Sequence, residues 1–325
     1  MSIKFVRIGL LAILAATSFG CSQQNPSGSA TNAVVSNASP ATPDGAIAAT
    51  VAALRNNNVG ALLDTAMPPA ALAKLKADWH DNMNKDPVTD QQRKDFAEHM
   101  AKLTAPGAEA QMYAEIEPKL KEFNEKSAQQ MPMMIAMGQG FAQSTIKQSK
   151  DLNDQQKQQA EALLDAAAKW AQTTKFTDPT LVKGAIAVLC KTARELNLKS
   201  IDEVRAMTFD QGMQKAGVVV GGVKQVLAVY GLDMNKALDS VKVTPVSTAG
   251  DNAKVTVAYT AFDQPFSTEA DLVKVDGKWY GKNAIDQWHK AQQKEISDAA
   301  AKAATPADTA PAEPADSSDS NDDEE

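Results

Sequence analysis

The chain has 325 residues, 43% of them apolar and only 5% aromatic, enough for a substantial core built from Ala, Leu and Val. Its formal charge of −7 is unevenly spread: Asp308 to Glu325 hold eight acidic residues and no basic one, and with Lys4 and Arg7 also set aside the body sits near −1. A body that close to neutral has no electrostatic footprint for nucleic acid, so DNA and RNA are excluded as partners.

Lys4 and Arg7 give a positive start, Ile8 to Ala16 an apolar stretch, and small residues follow: the three parts of an export signal. The stretch is too short to span a bilayer by itself. Ser18-Phe19-Gly20-Cys21 resembles the lipobox of bacterial lipoproteins cut by the lipoprotein signal peptidase. Gly20 and Cys21 match that pattern, while Ser18 stands where an aliphatic residue is usual and Phe19 is bulky. The resemblance implies a signal peptide over 1–20 and acyl chains such as palmitate on Cys21. Each buried methylene adds about 0.8 kcal/mol, so several chains on one cysteine anchor stably. Ser22, in place of an aspartate after the cysteine, implies the outer membrane facing the periplasm. Residues 21–43 then read as the lipidated cysteine and a flexible Ser/Asn/Ala/Pro tether. With Cys21 so used, Cys190 has no partner in the chain. Lying in Ala185-Ile186-Ala187-Val188-Leu189-Cys190, it reads as a small buried hydrophobe.

From 44 to 239 the apolar spacing is helical. Ile47, Val51 and Leu54 share a face before the breaker Asn56-Asn57-Asn58. Pro68-Pro69 opens a helix carrying Leu72, Leu75, Trp79 and Met83. Thr89 with Gln92 is a capping-box start for Phe96, Met100 and Leu103. After Pro106-Gly107 come Met112, Ile116, Leu120 and Phe123, with Pro118 predicting a kink or break. Asn153 with Gln156 opens a helix holding Leu163, Leu164 and Trp170, and Asp178-Pro179 caps the run to Leu196. Ser200 with Glu203 starts a short helix, and Thr208 with Gln211 a Val-rich one ending at Tyr230-Gly231.

Near Ser240 the period becomes two. Val241, Val243 and Pro245, then Val255, Val257 and Tyr259, then Ala270, Leu272 and Lys274 mark three strands. Turns fall at Ala249-Gly250-Asp251-Asn252 and Asp263-Gln264-Pro265. Asp276-Gly277 is a hairpin signal before Lys278-Trp279-Tyr280. A last helix sets Ile285, Trp288 and Ile296 on one side, and 298–325 read as a disordered acidic tail. The expected fold class is α+β, mostly α: a multi-helix body (44–239), then a four-stranded antiparallel meander with a final helix (240–297). The run Leu272 to Tyr280 resembles the end of cystatin-like domains of the nuclear transport factor two type, common in secreted bacterial lipoproteins. In such domains a helical pair like Gly45 to Leu63 precedes a curved sheet directly. Here a long helical insertion intervenes, and the resemblance implies architecture only.

No constellation for catalysis stands out. His80, His99 and His289 fall in separate segments, and no zinc-type pair occurs. Ser144-Thr145-Ile146-Lys147 matches Ser-x-x-Lys without its companion motifs and reads as helix surface. Glu115 with Glu117 and Asp202 with Glu203 are too close in sequence to face each other on a helix. Gly217 and Gly221-Gly222, inside an apolar run, read as places where helices approach closely.

The densest cluster is Met131, Met133, Met134 and Met137 with Phe141. Methionine-rich segments serve as core filler, as adaptable partner or ligand surfaces, or as soft ligands for Cu(I). Ile135 and Phe141 within the run favour core packing. The reading is an envelope lipoprotein with no catalytic residue, metal or cofactor, bound to the membrane through Cys21, that binds a protein partner. One version is an immunity or inhibitor protein against a cell-wall-targeting toxin. The alternatives are a carrier of a small amphiphile or lipid, with Met131 to Phe141 lining its cavity, and an envelope hydrolase that assembles distant carboxylates.

Overall fold

A computed structural model of the chain describes residues 41–304 except Ser127 and Asp151. The expected export signal, Cys21 and most of the expected tether therefore lie outside the described residues, as does the expected acidic tail from 305 on; its first part, 298–304, is not irregular but continues the last helix.

Thr42 opens the first helix, α1 (Pro43–Arg55): its hydroxyl accepts from the Gly45 amide, and Pro43 takes the first turn, where a missing N–H costs nothing. The asparagine corner ends it, with Asn57 in the left-handed region and the Asn58 side chain capping α2 (Val59–Ala66). Where the spacing from Leu72 to Met83 predicts one helix, there are two, α3 (Pro69–Ala77) and α4 (Trp79–Asn84), meeting at Asp78. The break has a tertiary cause. Trp79 donates its indole N–H to the Met207 carbonyl at 2.8 Å and sets its ring edge-on to Phe209.

The capping box of Thr89 and Gln92 forms at the head of α5 (Asp90–Thr104). The next helix, α6 (Ala108–Lys126), runs through Pro118, so of the kink or break expected there the break does not occur. Ile116 and Leu120, on either side of the proline, are both held by the helical core, and that packing carries the helix past the lost hydrogen bond. A short turn (Ala128–Gln130) leads into α7 (Met131–Gln148), which forms a hairpin with α8 (Asp154–Thr173). Then come α9 (Pro179–Leu196), capped by Asp178 and closed by a left-handed Asn197, and the short α10 (Ile201–Arg205). A third capping box, Thr208 with Gln211, starts α11 (Phe209–Val229), and Gly231, at φ 85°, turns the chain toward α12 (Met234–Asp239).

Four antiparallel strands follow in sequential order: β1 (Lys242–Ala249), β2 (Asn252–Ala261), β3 (Gln264–Val275) and β4 (Lys278–Gly281). The fold is thus α+β and mostly α, as the patterning predicts. The turn between β3 and β4 is the Asp276-Gly277 pair, both at positive φ. The preceding turn is not Asp263-Gln264-Pro265. It is Phe262-Asp263, again both left-handed, while Gln264 and Pro265 already pair in β3. The Phe262 ring lies 6.1 Å from Trp170 of α8, a contact that helps hold a conformation large side chains usually avoid.

On β1 the inward alternation stops early. Val243 is half-buried, but a bulge between Pro245 and Ser247 resets the register and leaves Pro245 and Val246 exposed on the sheet edge.

Two cores organise these elements. Ala253, Val255 and Val257 of β2, Ala270 and Leu272 of β3 and Trp279 of β4 bury one sheet face around Ala46 and Ile47 of α1. The change of period at 239/240 is therefore not a gap in packing, because the first helix fills the sheet. The second core joins Val182, Ile186 and Cys190 of α9 to Ala108, Met112 and Ile116 of α6. A compact unit closes at Ile285, inside the last helix α13 (Lys282–Ala304), and the rest of that helix, from Asp286, belongs to a second unit. Ile285 is buried but Ile296 is 70% exposed, so the side expected to carry both is not covered along its length.

Candidate functional site

Residues with chemical potential are dispersed and engaged. Asp202 pairs with Arg93 at 2.9 Å, and Glu203 accepts from the Lys199 amide at 2.8 Å. Glu115 pairs with Lys102, and Glu117 with Lys121 at 3.3 Å. Ser144 lies exposed on α7 and accepts from Gln148 at 2.7 Å, while Lys147 reaches across to Glu161 at 3.9 Å. Cys190 is fully buried with its Sγ 3.6 Å from the Met112 sulfur, and burial pushes its thiol above the ordinary cysteine value. His80 and His99 sit exposed on α4 and α5, and His289 on α13. Among the described residues no group of three or more His, Cys, Asp or Glu side chains is placed to hold a metal ion.

The glycines of α11 act as predicted. A Cβ on Gly217 would stand 2.4 Å from the Asn57 carbonyl oxygen, and one on Gly222 would stand 2.4 Å from the Thr192 hydroxyl. The missing side chains let the asparagine corner and α9 come up against α11. Beside that contact lies an open groove of about 330 Å3, walled by Asn56, Asn57, Glu195, Gln214 and Gln225. A second recess, near Leu54, Leu62 and Val220, holds about 10 Å3, room for no more than a water. Neither is lined by Met131 to Phe141, and an amphiphile site needs roughly 300–1,000 Å3 of mostly apolar space.

The methionine cluster does not fill the core. Met133 is 69%, Met137 70% and Phe141 77% exposed, and Met134 is also outward at 58%. Spacings of four residues stack Met133, Met137 and Phe141 on one side of α7, and Met134 adjoins them. Only Met131, at the helix start, is half-buried.

The reason is visible on the opposite face. Ile135, Ala142 and Ile146 turn inward, and between them the Gln139 and Gln143 amides donate to one carboxylate oxygen of Asp165 on α8, at 2.8 and 3.1 Å. That side already meets its neighbour with a mixed apolar and hydrogen-bonded surface. The larger thioethers and the ring are left on the outside. No family model, characterised protein or solved structure matches this chain. What α7 offers must be judged from its own side chains.

Two apolar arcs on one helix are unusual for a surface helix, which normally carries a single apolar stripe toward the core. Four large exposed apolar side chains in two turns make a contiguous patch, and patches of a few hundred Å2 mark contact sites more often than single exposed residues do. The sequence held this signal. Reading 131–148 at 100° per residue separates Met133, Met134, Met137 and Phe141 from Ile135, Ala142 and Ile146, whereas composition alone groups them as filler. Smaller outward apolar residues are Leu189 on α9 and Val219 and Val223, one turn apart, on α11. Among the described helices none is long and apolar enough to cross a membrane.

Proposed function

We propose that this chain is a non-enzymatic lipoprotein of the cell envelope, carried by acyl chains on Cys21 at the outer membrane facing the periplasm, and that it acts by binding a protein partner. The observation that supports binding is the outward apolar surface: the Met133–Phe141 face of α7, with Leu189, Val219 and Val223 on α9 and α11. Side chains of that size cost free energy in water, about 25 cal/mol per Å2 of apolar area, and association recovers it. In its most concrete version the partner is a toxin that attacks the cell wall, and the lipoprotein neutralises it as an immunity or inhibitor protein.

Mild detergent extracts of envelopes, followed by rebuilding the complex from purified components, test the reading. A defined stoichiometric complex with one identified protein supports it. Recovery of the chain alone from repeated extracts, with fatty acid present on Cys21, removes protein binding and leaves the anchor. Absence of fatty acid, with a Cys21→Ser variant fractionating like the parent, removes the anchor.

A further inference from the structure

We infer that the outward face of α7 rests on an anionic lipid bilayer, with Met133, Met134, Met137 and Phe141 entering the headgroup layer. This moves the α7 face from the protein partner to the membrane and leaves the exposed Leu189 of α9 and Val219 and Val223 of α11 to carry protein binding. For its setting it rests on the lipoprotein reading of Cys21.

Charge singles out the bilayer. From Ser127 to Lys150 there is no Asp or Glu, while Lys126 precedes α7 and Lys147 and Lys150 close it. Glu125 and Asp151 adjoin Lys126 and Lys150 in sequence, so the acid-free stretch is α7 itself, which carries Lys147 and no carboxylate. Across from it Asp165 faces the inner side through Gln139 and Gln143, Glu161 reaches Lys147 only at 3.9 Å, and Glu122 pairs with Lys126 ahead of the helix start. Both lysines are exposed in these pairs, and ion pairs open to water are weak enough for lipid phosphates to compete with them. A lysine close to an anionic leaflet is drawn to its phosphates. An apolar arc bordered by lysines is the pattern of a helix lying in the interface, its apolar side about 5–10 Å deep.

A second copy fits worse, since pairing the same face twice would bring Lys147 and Lys150 toward their own counterparts in a parallel arrangement, or toward the end that follows Lys126 in an antiparallel one, in either case with no carboxylate on α7 to meet them. The surface itself suits a fluid partner. Methionines adapt to whatever they meet. Cβ atoms on Gly138 and Gly140 would have nothing within 4 Å, so among the described residues no side chain lies against these two positions. Reach agrees as well: the twenty-one steps of chain from Cys21 to Thr42 span at most about 75 Å, which keeps an anchored body beside the bilayer.

The test labels the full, processed chain with an environment-sensitive thiol-reactive fluorophore at Met137→Cys, and in parallel at Leu189→Cys. Cys190 is buried and takes no label in the native state, and an acylated Cys21 has no thiol to react. The labelled chains are added to vesicles of equimolar phosphatidylglycerol and phosphatidylcholine carrying a headgroup-level quencher. A blue shift with quenching at 137, absent at 189 and reduced in pure phosphatidylcholine, is the expected result. An acylated, vesicle-bound chain whose 137 label stays water-like overturns the inference and leaves the anchor standing.

A shift at 137 that grows with protein concentration without vesicles assigns the face to a second copy and overturns it. So does a shift seen in native envelopes but not in protein-free vesicles, which assigns the face to a protein. If Cys21 itself takes label, the lipoprotein reading fails. Titrating that same unacylated chain with the anionic vesicles then decides the face alone: a shift at 137 upholds it and none overturns it.

Discussion

Arg194 donates to both carboxylate oxygens of Glu109, at 2.6 and 3.0 Å, and so clamps α9 to α6 beside Cys190. Those hydrogen bonds, with one from the Glu109 backbone, lower the Glu109 carboxyl to about 2. A depressed acid contributes stability above its unfolded value near 4.5, and the contribution is lost as pH falls through the folded value. The parent should therefore lose melting temperature between pH 4.5 and 2 more steeply than a Glu109→Gln variant; parallel profiles from thermal melts in that window would refute the clamp. A second clamp lies deeper. The Lys224 ammonium donates to the Leu54 and Arg55 carbonyls at 2.7 and 3.2 Å and to the Asn57 side chain at 2.9 Å, closing the end of α1. Lys224→Met keeps the stem and removes the donors. The Leu54 carbonyl keeps the Asn57 N–H at 3.2 Å, but the Arg55 carbonyl and the Asn57 side-chain oxygen lose this donor, which should cost about 1–3 kcal/mol, read as a lowered denaturant midpoint.

Helix starts were legible because their chemistry is local. Three capping boxes (Thr89, Asn153 and Thr208) and the Asp178-Pro179 start form where the residues place them. Helix interiors were less legible, because what continues or interrupts them is distant in sequence: the α6–α9 core carries α6 past Pro118, and the Trp79 contacts split α3 from α4. The same distinction governs glycine. On α11, Gly217→Ala drives a Cβ into the Asn57 backbone and should destabilise by about 1–3 kcal/mol. On α7, Gly138→Ala meets nothing and should stabilise by about 0.5–1 kcal/mol through helix propensity. Opposite signs in paired urea melts are the expected outcome, and equal signs would contradict the packing described. On α7 the sequence separates two apolar arcs, but not that Met133, Met137 and Phe141 are on the outer one. Which arc of a two-sided helix faces inward depends on Asp165, across the hairpin.

At the scale of the molecule, the switch from helical to strand period marked the sheet correctly but not the limit of a packing unit, since α1 belongs to the sheet's core. The unit ends instead inside α13, at Ile285. Brief digestion with a low-specificity protease should accordingly remove residues beyond Ile285 first and leave a fragment ending there with an unchanged cooperative melt. A first cut near Ser240 would contradict this arrangement. The position of α1 has a mechanical consequence. Tension applied along the chain from its amino end enters the fold at Thr42 and Pro43, and within one turn it reaches Ala46 and Ile47, wedged against Val255, Leu272 and Trp279. Such a pull cannot peel away a peripheral helix. It must extract the plug of the sheet, so the attachment point bears load only as long as the whole sheet holds.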